Sequence, residues 1–462
     1  MAQTGVSASE WLCEAGFGSD DADRWSAAWP PGEDGYAAAA AALGELAAVA
    51  AELEDRLGPP ADRGPQERRA ALALRDALSA ARSAWLRAHA GELYDVVSAR
   101  RTRPVRVETL VQEAARRVPG LAPTPEELAA ERTRALKDKL GIELAQGLVV
   151  SHVLALPQAG THLLESMLAP TPRALELLPE LRERGELDLG AAHLRRRDGA
   201  GVLEHRNPRH LNAEDDLTLD TTETAVDLVL LDPEIEVGVI RGVAVDHPRY
   251  AGQRIFGAGL NLTRLYRGQL DFMFFLVRDL GYVSKLYRGL ILAGEPAETV
   301  EKLWIAAVEV YAIGGACQLL HVMDHVIATR GSRLFLPARK EGIIPGASNL
   351  RLARSVGERA ARQAILSGRE WTAGEPDADL LVDEVVEPGE MDAALAQRVA
   401  ALTSSGLVNA AANRRAMRIG AEPLDVFREY MSLFAREQAI CHLSPALVAN
   451  LERHWNAAER RD

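Results

Sequence analysis

Cysteine is scarce in this sequence: Cys13, Cys317 and Cys441 are all it has in 462 residues. So few and so scattered, they build neither a disulfide frame nor a zinc knuckle. Basic residues are outnumbered, 53 Lys and Arg against 66 Asp and Glu, and a net charge of −13 excludes the basic stripe that a nucleic-acid backbone demands. The compact basic run Arg195 to Arg197 reads as a solvated hairpin strand. No run is apolar for long enough to span a bilayer, and MAQTGVSASEW has neither the basic start nor the apolar stretch of a leader. A reduced, cytoplasmic protein is expected, with no nucleic-acid or membrane partner. Common catalytic signatures are missing too. Gly257-Ala258-Gly259 lacks the third glycine of a dinucleotide loop and its acidic partner. Gly346-Ala347-Ser348-Asn349 breaks a nucleophile elbow at its last position. His321 and His325, four apart on an expected helix beside Asp324, have no third metal ligand in view; packing explains the spacing, and no metal site is expected. Cys317, next to two glycines, reads as a small apolar filler.

What remains is an ordinary globular composition, 47% hydrophobic and 26% charged, with length for about two or three domains. Residues 1 to 187 read as helical. Tyr36 to Leu57 and Gln66 to Arg100 carry leucines at helical spacing, the second with a possible break near Gly91. Thr124-Pro125-Glu126-Glu127 starts a helix with a capping box, expected to run to about Leu156, and Thr171-Pro172 starts another that ends near Gly185. From Leu187 the texture changes. AAHLRRRDGAGVLEHRNP alternates around Asp198-Gly199, a hairpin signal. Glu234 to Val245 reads as a strand, Gln269 to Leu292 as a helix, and Ile305 to Ile313 as a buried strand. That strand turns at Gly314-Gly315 into QLLHVMD, a helix. Such a turn either leaves backbone N–H groups aimed at a developing oxyanion or is a corner where glycine permits close packing. Beyond Asn349 the pattern is helical again, with a strand candidate at Leu380 to Val386. Alternating strands and helices imply an α/β core with a mostly parallel sheet.

Five motifs, in order, resemble those of the crotonase (enoyl-CoA hydratase/isomerase) superfamily. They are VLEHRNPRHLNA (Val202 to Ala213), RIFGAGLNL (Arg254 to Leu262), IAAVEVYAIGGACQLLHVMDHVIA, EGIIPGAS and LSGREWTAGEPDADLLVDEVV. They span about Leu187 to Leu402. The resemblance implies a crotonase-like ββα superhelix core over 188–402, an all-α N-terminal domain over 1–187 and a C-terminal helical segment over 403–462. It implies a coenzyme A thioester whose carbonyl oxygen accepts from the N–H groups of Leu260 and Gly315, each worth about 3 kcal/mol in a transition state. It also implies a loop, His247, Pro248, Arg249 and Tyr250 running to Ala258, Gly259 and Asn261, that receives the coenzyme.

Hydratases of this superfamily carry two glutamates that handle water; here those positions are Gln318 and Ala338. Neither accepts a proton at neutral pH. Glu341 is near, but would need a shifted loop to substitute. The long helical N-terminal half, the LNAEDD turn, Gln318 and ARKEGIIPGASN resemble the cofactor-independent arylacetyl-CoA dioxygenases of glycopeptide-antibiotic biosynthesis. In that group an enolate reduces O2 directly, and the peroxide attacks the thioester and releases coenzyme A. The resemblance implies no metal or flavin, O2 as co-substrate, Glu214, Arg278 and Gln318 on the ring hydroxyls and reacting centre, Ala338 and Ile343 lining an apolar O2 pocket, and a trimer-based hexamer. Glu214 also fits a helix N-terminal charge, Arg278 a solvated face, and Ala338 and Ile343 ordinary core packing. The competing expectations are another acyl-CoA enzyme of this fold (thioesterase, isomerase or hydratase) and a non-catalytic scaffold.

Overall fold

The computed structural model describes residues 8–28, 35–292, 299–404 and 407–459. The opening residues 1–7, which contribute to the expectation of no leader, lie outside the described residues. The chain divides into two compact units: Met1–Leu163 with Tyr266–Phe272 and Met431–Val448, and Leu164–Leu265 with Met273–Tyr430 and Ala449–Asp462.

In the first unit the described elements are helices, among them Tyr36–Arg56, Pro65–Val97, Val107–Arg117, Pro125–Glu131 and Leu144–Ala155. Tyr36–Arg56 buries Leu43, Leu46, Val49 and Leu53 along one face, as their spacing requires, and packs against Pro65–Val97. By length and composition Tyr36–Arg56 passes for a membrane span, which corrects the expectation that no stretch does; its alanines count as apolar without supplying bulk. Pro65–Val97 runs through Gly91 unbroken. The capping box forms as read: Glu127 N–H donates to Thr124 Oγ1 at 3.2 Å, and Thr124 N–H to Glu127 Oε2 at 2.7 Å. The helix stops at Glu131, however, rather than near Leu156. Buried Glu131 accepts from Gly141 N–H at 2.8 Å, and Gly141 sits at φ 81°, so the chain is clamped into a non-helical turn before Leu144.

The second unit is built on a seven-stranded sheet. Its strands are β1 (Glu186–Asp188), β2 (Ala192–Arg197), β3 (Ala200–His205) and β4 (Val237–Gly242), and, after the short ribbon β5 (Leu290–Ile291) and β6 (Thr299–Val300), β7 (Leu303–Val308), β9 (His325–Thr329) and β12 (Glu384–Val386). A second sheet joins β8 (Tyr311–Ile313), β10 (Arg333–Phe335) and β11 (Glu370–Thr372); β11 corrects the expectation of helix there, its Trp371 being buried in the sheet. The order in the large sheet is β1-β2-β3-β4-β7-β9-β12, antiparallel at β1–β2–β3 and parallel from β3 on, in register Val202–Val239–Ile305. The β2–β3 turn is Asp198 (φ 52°) and Gly199 (φ 79°), both left-handed, as a two-residue hairpin prefers. Both faces are covered, which is why β7 reads as an uninterrupted apolar run. Trp304, Ala306 and Val308 join the core that holds the Asp216–Leu231 helix, whereas Ile305 and Ala307 join the one that holds Met391–Thr403.

Three expected elements divide. The strand over Ile305 to Ile313 is β7 and β8, in different sheets, parted at Val310, whose φ is 63°. The helix over Gln269 to Leu292 is Met273–Leu280 and Tyr282–Arg288, broken where Gly281 takes ψ −113°. The helix after Gly314-Gly315 ends at Leu320, so His325 opens β9 and no longer shares a helix with His321. The strand candidate over Leu380 to Val386 shrinks to β12.

Candidate active site: an N–H pair above a buried charge cluster

At the end of β8 the chain bends through Gly314 (φ 53°, ψ −117°) and starts the Gly315–Leu320 helix. Gly314 N–H donates to Phe335 O at 2.9 Å, and Gln318 N–H closes the first helical turn on Gly314 O at 3.0 Å. The loop Arg254 to Leu262 is zipped onto this corner: Gly257 N–H donates to Tyr311 O at 3.2 Å and Ile313 N–H to Gly257 O at 3.1 Å. The next residues pair with the LNAEDD turn, Glu214 N–H donating to Gly259 O at 2.6 Å and Asn261 N–H to Glu214 O at 2.8 Å. In a parallel bridge of this kind the middle residue's N–H points away from its partner, and here that residue is Leu260. Among the described residues neither Leu260 N–H nor Gly315 N–H has a protein acceptor. The two loops touch where they meet. A Cβ on Gly259, at φ 78°, would stand 2.7 Å from Ile313 O and 3.1 Å from Gly315 N, so only glycine fits. Two free donors brought together at a glycine turn can hold one oxyanion.

Behind the turn lies a buried cluster. Arg278 Nε donates to Glu214 Oε2 at 2.9 Å, Nη1 to Asp279 Oδ1 at 2.9 Å and to Gln318 Oε1 at 3.0 Å, and Nη2 to Gly315 O at 2.8 Å. Tyr282 Oη donates to the other oxygen of Glu214. Arg278, Glu214, Asp279 and Tyr282 are all buried. Burial alone would lower the Arg278 pKa, but Glu214, Tyr282 and Asp279 outweigh it and raise it, so the guanidinium stays charged. Burial raises the Asp279 carboxyl, against the pull of Arg278 and Arg351. A Cβ on Gly315 would collide with Glu214 Oε2, which makes glycine obligatory at the turn. Glu214, Arg278 and Gln318, far apart in sequence, thus form one hydrogen-bonded unit beneath the N–H pair. Tyr282 and Asp279 were not anticipated. Tyr282 stands four residues after Arg278, a spacing that places side chains on one helical face, but the break at Gly281 hides it.

The remaining predicted residues distribute around this centre. Asn261 is committed to structure: its Nδ2 donates to Asp215 Oδ2 at 2.9 Å. Ala258 N–H is held by Leu211 O at 3.1 Å. In the coenzyme loop, Pro248 and Arg249 are exposed, His247 and Tyr250 partly so. Tyr250 Oη lies 2.8 Å from Tyr311 Oη, and the Arg249 guanidinium sits 5.3 Å from the Tyr250 ring centre. Ala338 is buried and Ile343 half-buried, at either end of the Ala338–Glu341 helix region. Glu341 stands beside the turn, its Oε1 3.8 Å from where a Cβ on Gly314 would sit, near the corner as the sequence suggests. His321 Nδ1 lies 3.1 Å from Ser348 Oγ, and burial depresses its pKa to about 3. Among the described residues no three His, Cys, Asp or Glu side chains gather as metal ligands.

Comparison with known proteins gives the chain's relatives. The enoyl-CoA hydratase/isomerase family model matches residues 196–430. A (3,5-dihydroxyphenyl)acetyl-CoA 1,2-dioxygenase from Amycolatopsis orientalis is 49% identical over 401 residues, covering 86% of this chain and 92% of that protein. A probable enoyl-CoA hydratase from Rhizobium meliloti (strain 1021) is 30% identical over 51% of this chain and 87% of its own length. Among solved structures, an enoyl-CoA hydratase from Mycobacterium avium subsp. paratuberculosis K-10 superposes with a TM-score of 0.48 at 20% identity, covering 57% of this chain and 98% of that one.

Proposed function

Because the chain belongs to the crotonase (enoyl-CoA hydratase/isomerase) family, we propose that it is a cofactor-independent dioxygenase converting 3,5-dihydroxyphenylacetyl-CoA and O2 to 3,5-dihydroxyphenylglyoxylate and coenzyme A. The observation that carries this reading is Gln318. At a position where hydratases hold glutamate, it is an amide tied into the Glu214–Arg278 unit directly below the N–H pair. With Ala338 at the second position, the site keeps the means to stabilise an enolate and lacks the two carboxylates that would deliver water. The 49% identity to the dioxygenase over most of the chain supports the same conclusion.

The N–H groups of Leu260 and Gly315 accept the negative charge as it moves onto the thioester oxygen, and because they are preorganised no reorganisation is needed at that moment. Glu214, Arg278 and Gln318 offer both acceptors and donors to ring hydroxyls, fixing the α-carbon over the turn. His247, Pro248, Arg249 and Tyr250 take the coenzyme end. Buried Ala338 and half-buried Ile343 supply apolar side chains to a pocket for O2, which needs no ligand. The reaction balances without a reductant. The α-carbon gives up four electrons, both oxygens of O2 enter the product, and the two α-hydrogens leave as protons, one of them on coenzyme A. That balance calls for no external reductant, and in the proposed reaction no metal or flavin takes part. We place the enzyme in antibiotic biosynthesis, in the cytoplasm, where its three free cysteines stay reduced. The proposed assembly is a trimer-based hexamer, in which a subunit contact would cover apolar side chains such as the exposed Met417 and Ile419.

Oxygen-electrode traces with 3,5-dihydroxyphenylacetyl-CoA in excess chelator test the reading; uptake is expected and its absence would sink it. A second reading, another acyl-CoA enzyme, draws on the carboxyl of Glu341 near the turn. Coenzyme A release at an undiminished rate under strict anaerobiosis would favour a thioesterase, and loss of enoyl absorbance a hydratase.

A further inference from the structure

We infer that Glu341 is the general base that removes the α-proton of the thioester, which rests on the enolate chemistry proposed above. One point beside the oxyanion turn, where a Cβ on Gly314 would sit, lies 3.7 Å from Gly259 Cα and 3.8 Å from both Glu341 Oε1 and Pro337 Cδ. An atom placed there makes ordinary van der Waals contacts, with the Gly259 backbone on one side and the carboxyl on the other. An acyl oxygen on the Gly315 and Leu260 N–H groups has its α-carbon two bonds away, and the inference puts that carbon on the Glu341 side of the turn. The placement also explains Ala338. Residues three apart on a helix share a face, so on Ala338–Glu341 the carboxyl reaches the site from three positions after the missing glutamate.

Other carboxyls near the turn are engaged or lie elsewhere. Glu214 accepts from Arg278 and Tyr282. Asp279 Oδ1 accepts from Arg278, and its Oδ2, buried without a hydrogen-bond partner among the described residues, lies against Gly346 and not at the Gly314 side of the turn. Glu341 is only 6% exposed, and among the described residues no cation or donor reaches its carboxyl. Burial pushes its pKa up to about 7, so at neutral pH it exists in both forms and can take a proton from carbon and later release it. In the step itself the α C–H bond breaks and the proton passes to a Glu341 oxygen. The C–H electron pair becomes the new C=C bond, and the carbonyl π pair moves onto the thioester oxygen. No oxidant takes part, so the step runs without O2.

That independence supplies the test. The full-length protein and Glu341→Gln are incubated anaerobically in D2O with 3,5-dihydroxyphenylacetyl-CoA, and loss of the α-hydrogen signal is followed by NMR. Glu341→Gln should slow the exchange by about 100-fold or more while binding the thioester as tightly as the parent, and Glu341→Asp should recover part of the rate. Exchange by Glu341→Gln at the parental rate overturns the inference; should the glutamine variant not fold, Glu341→Met replaces it under the same criterion. A parent protein that neither exchanges α-hydrogen nor consumes O2 overturns the dioxygenase reading instead, before any variant is compared.

Discussion

Gly315 and Gln318 sit on one turn of helix and, in the proposed reaction, divide the chemistry between them. Gly315 supplies a backbone donor, and its lack of a side chain leaves room for Glu214 Oε2. Gly315→Ala keeps the N–H but should displace the carboxylate and the Arg278 unit with it, and kcat should fall by about 100-fold, the cost of a misplaced site, in a steady-state assay of coenzyme A release. Gln318 decides what is not done. Gln318→Glu restores one carboxylate of the hydratase pair but leaves Ala338 facing it, so a crotonyl-CoA absorbance assay should show no hydration above background. The new carboxylate would also lie close to Asp279 Oδ2, because a Cβ on Gly346 would meet that oxygen and Gln318 Oε1 at once. Mutual repulsion should then lower the melting temperature.

At the scale of elements, the break at Gly281 is what brings Arg278 and Tyr282 onto the same carboxylate from two helices. A Cβ there would clash with Val277 O and approach Glu223 Oε1 at 3.0 Å. Gly281→Ala should cost about 1–3 kcal/mol in urea unfolding, typical of an overpacked core, and weaken thioester binding along with it. The same element shows how far sequence carries. The hairpin at Asp198-Gly199, the capping box at Thr124 and the Gly-Gly turn are local, set by residues within a few positions, and the structure has them as read. The helix expected through Gln269 to Leu292 and the one from Thr124 to Leu156 were broken by Gly281 and Gly141. Each glycine answers to a distant carboxylate, Glu223 beside Gly281 and Glu131 accepting from Gly141 N–H. Periodicity carries no trace of such partners. The candidate site was legible in its ordered motifs, Glu214, Arg278 and Gln318 included. Tyr282, Asp279 and the reach of Glu341 were not, because they depend on how a kink and a four-residue helix are turned.

On the scale of the whole molecule, acid stability should hinge on one buried carboxylate. Glu422 is 1% exposed and accepts from Arg351 at 2.9 and 3.0 Å, from Arg354 at 2.9 Å and from Arg288 at 2.8 Å. Burial alone would raise its pKa, but Arg351, Arg288 and Arg354 prevail and hold it down at about 2, below the ordinary 4.5. A depressed carboxyl stabilises the fold fully above its unfolded value, and that contribution fades as pH falls from about 4.5 toward 2; here it is worth about 3 kcal/mol. Glu422→Gln should lose most of it at neutral pH and show a flatter acid limb in urea titrations between pH 5 and pH 2. The cluster holds together the frame on which the active-site helices rest, so the variant should lose stability more than intrinsic turnover.

The central claim is that an enolate held on Leu260 and Gly315 reacts with O2 itself. Turnover of 3,5-dihydroxyphenylacetyl-CoA under labelled O2, with mass analysis of the promptly trapped acid, tests it most directly. Incorporation of both atoms of one O2 molecule into the glyoxylate, in step with coenzyme A release and unchanged by chelator, is the predicted result. Coenzyme A released with an acid that carries no labelled oxygen would contradict it.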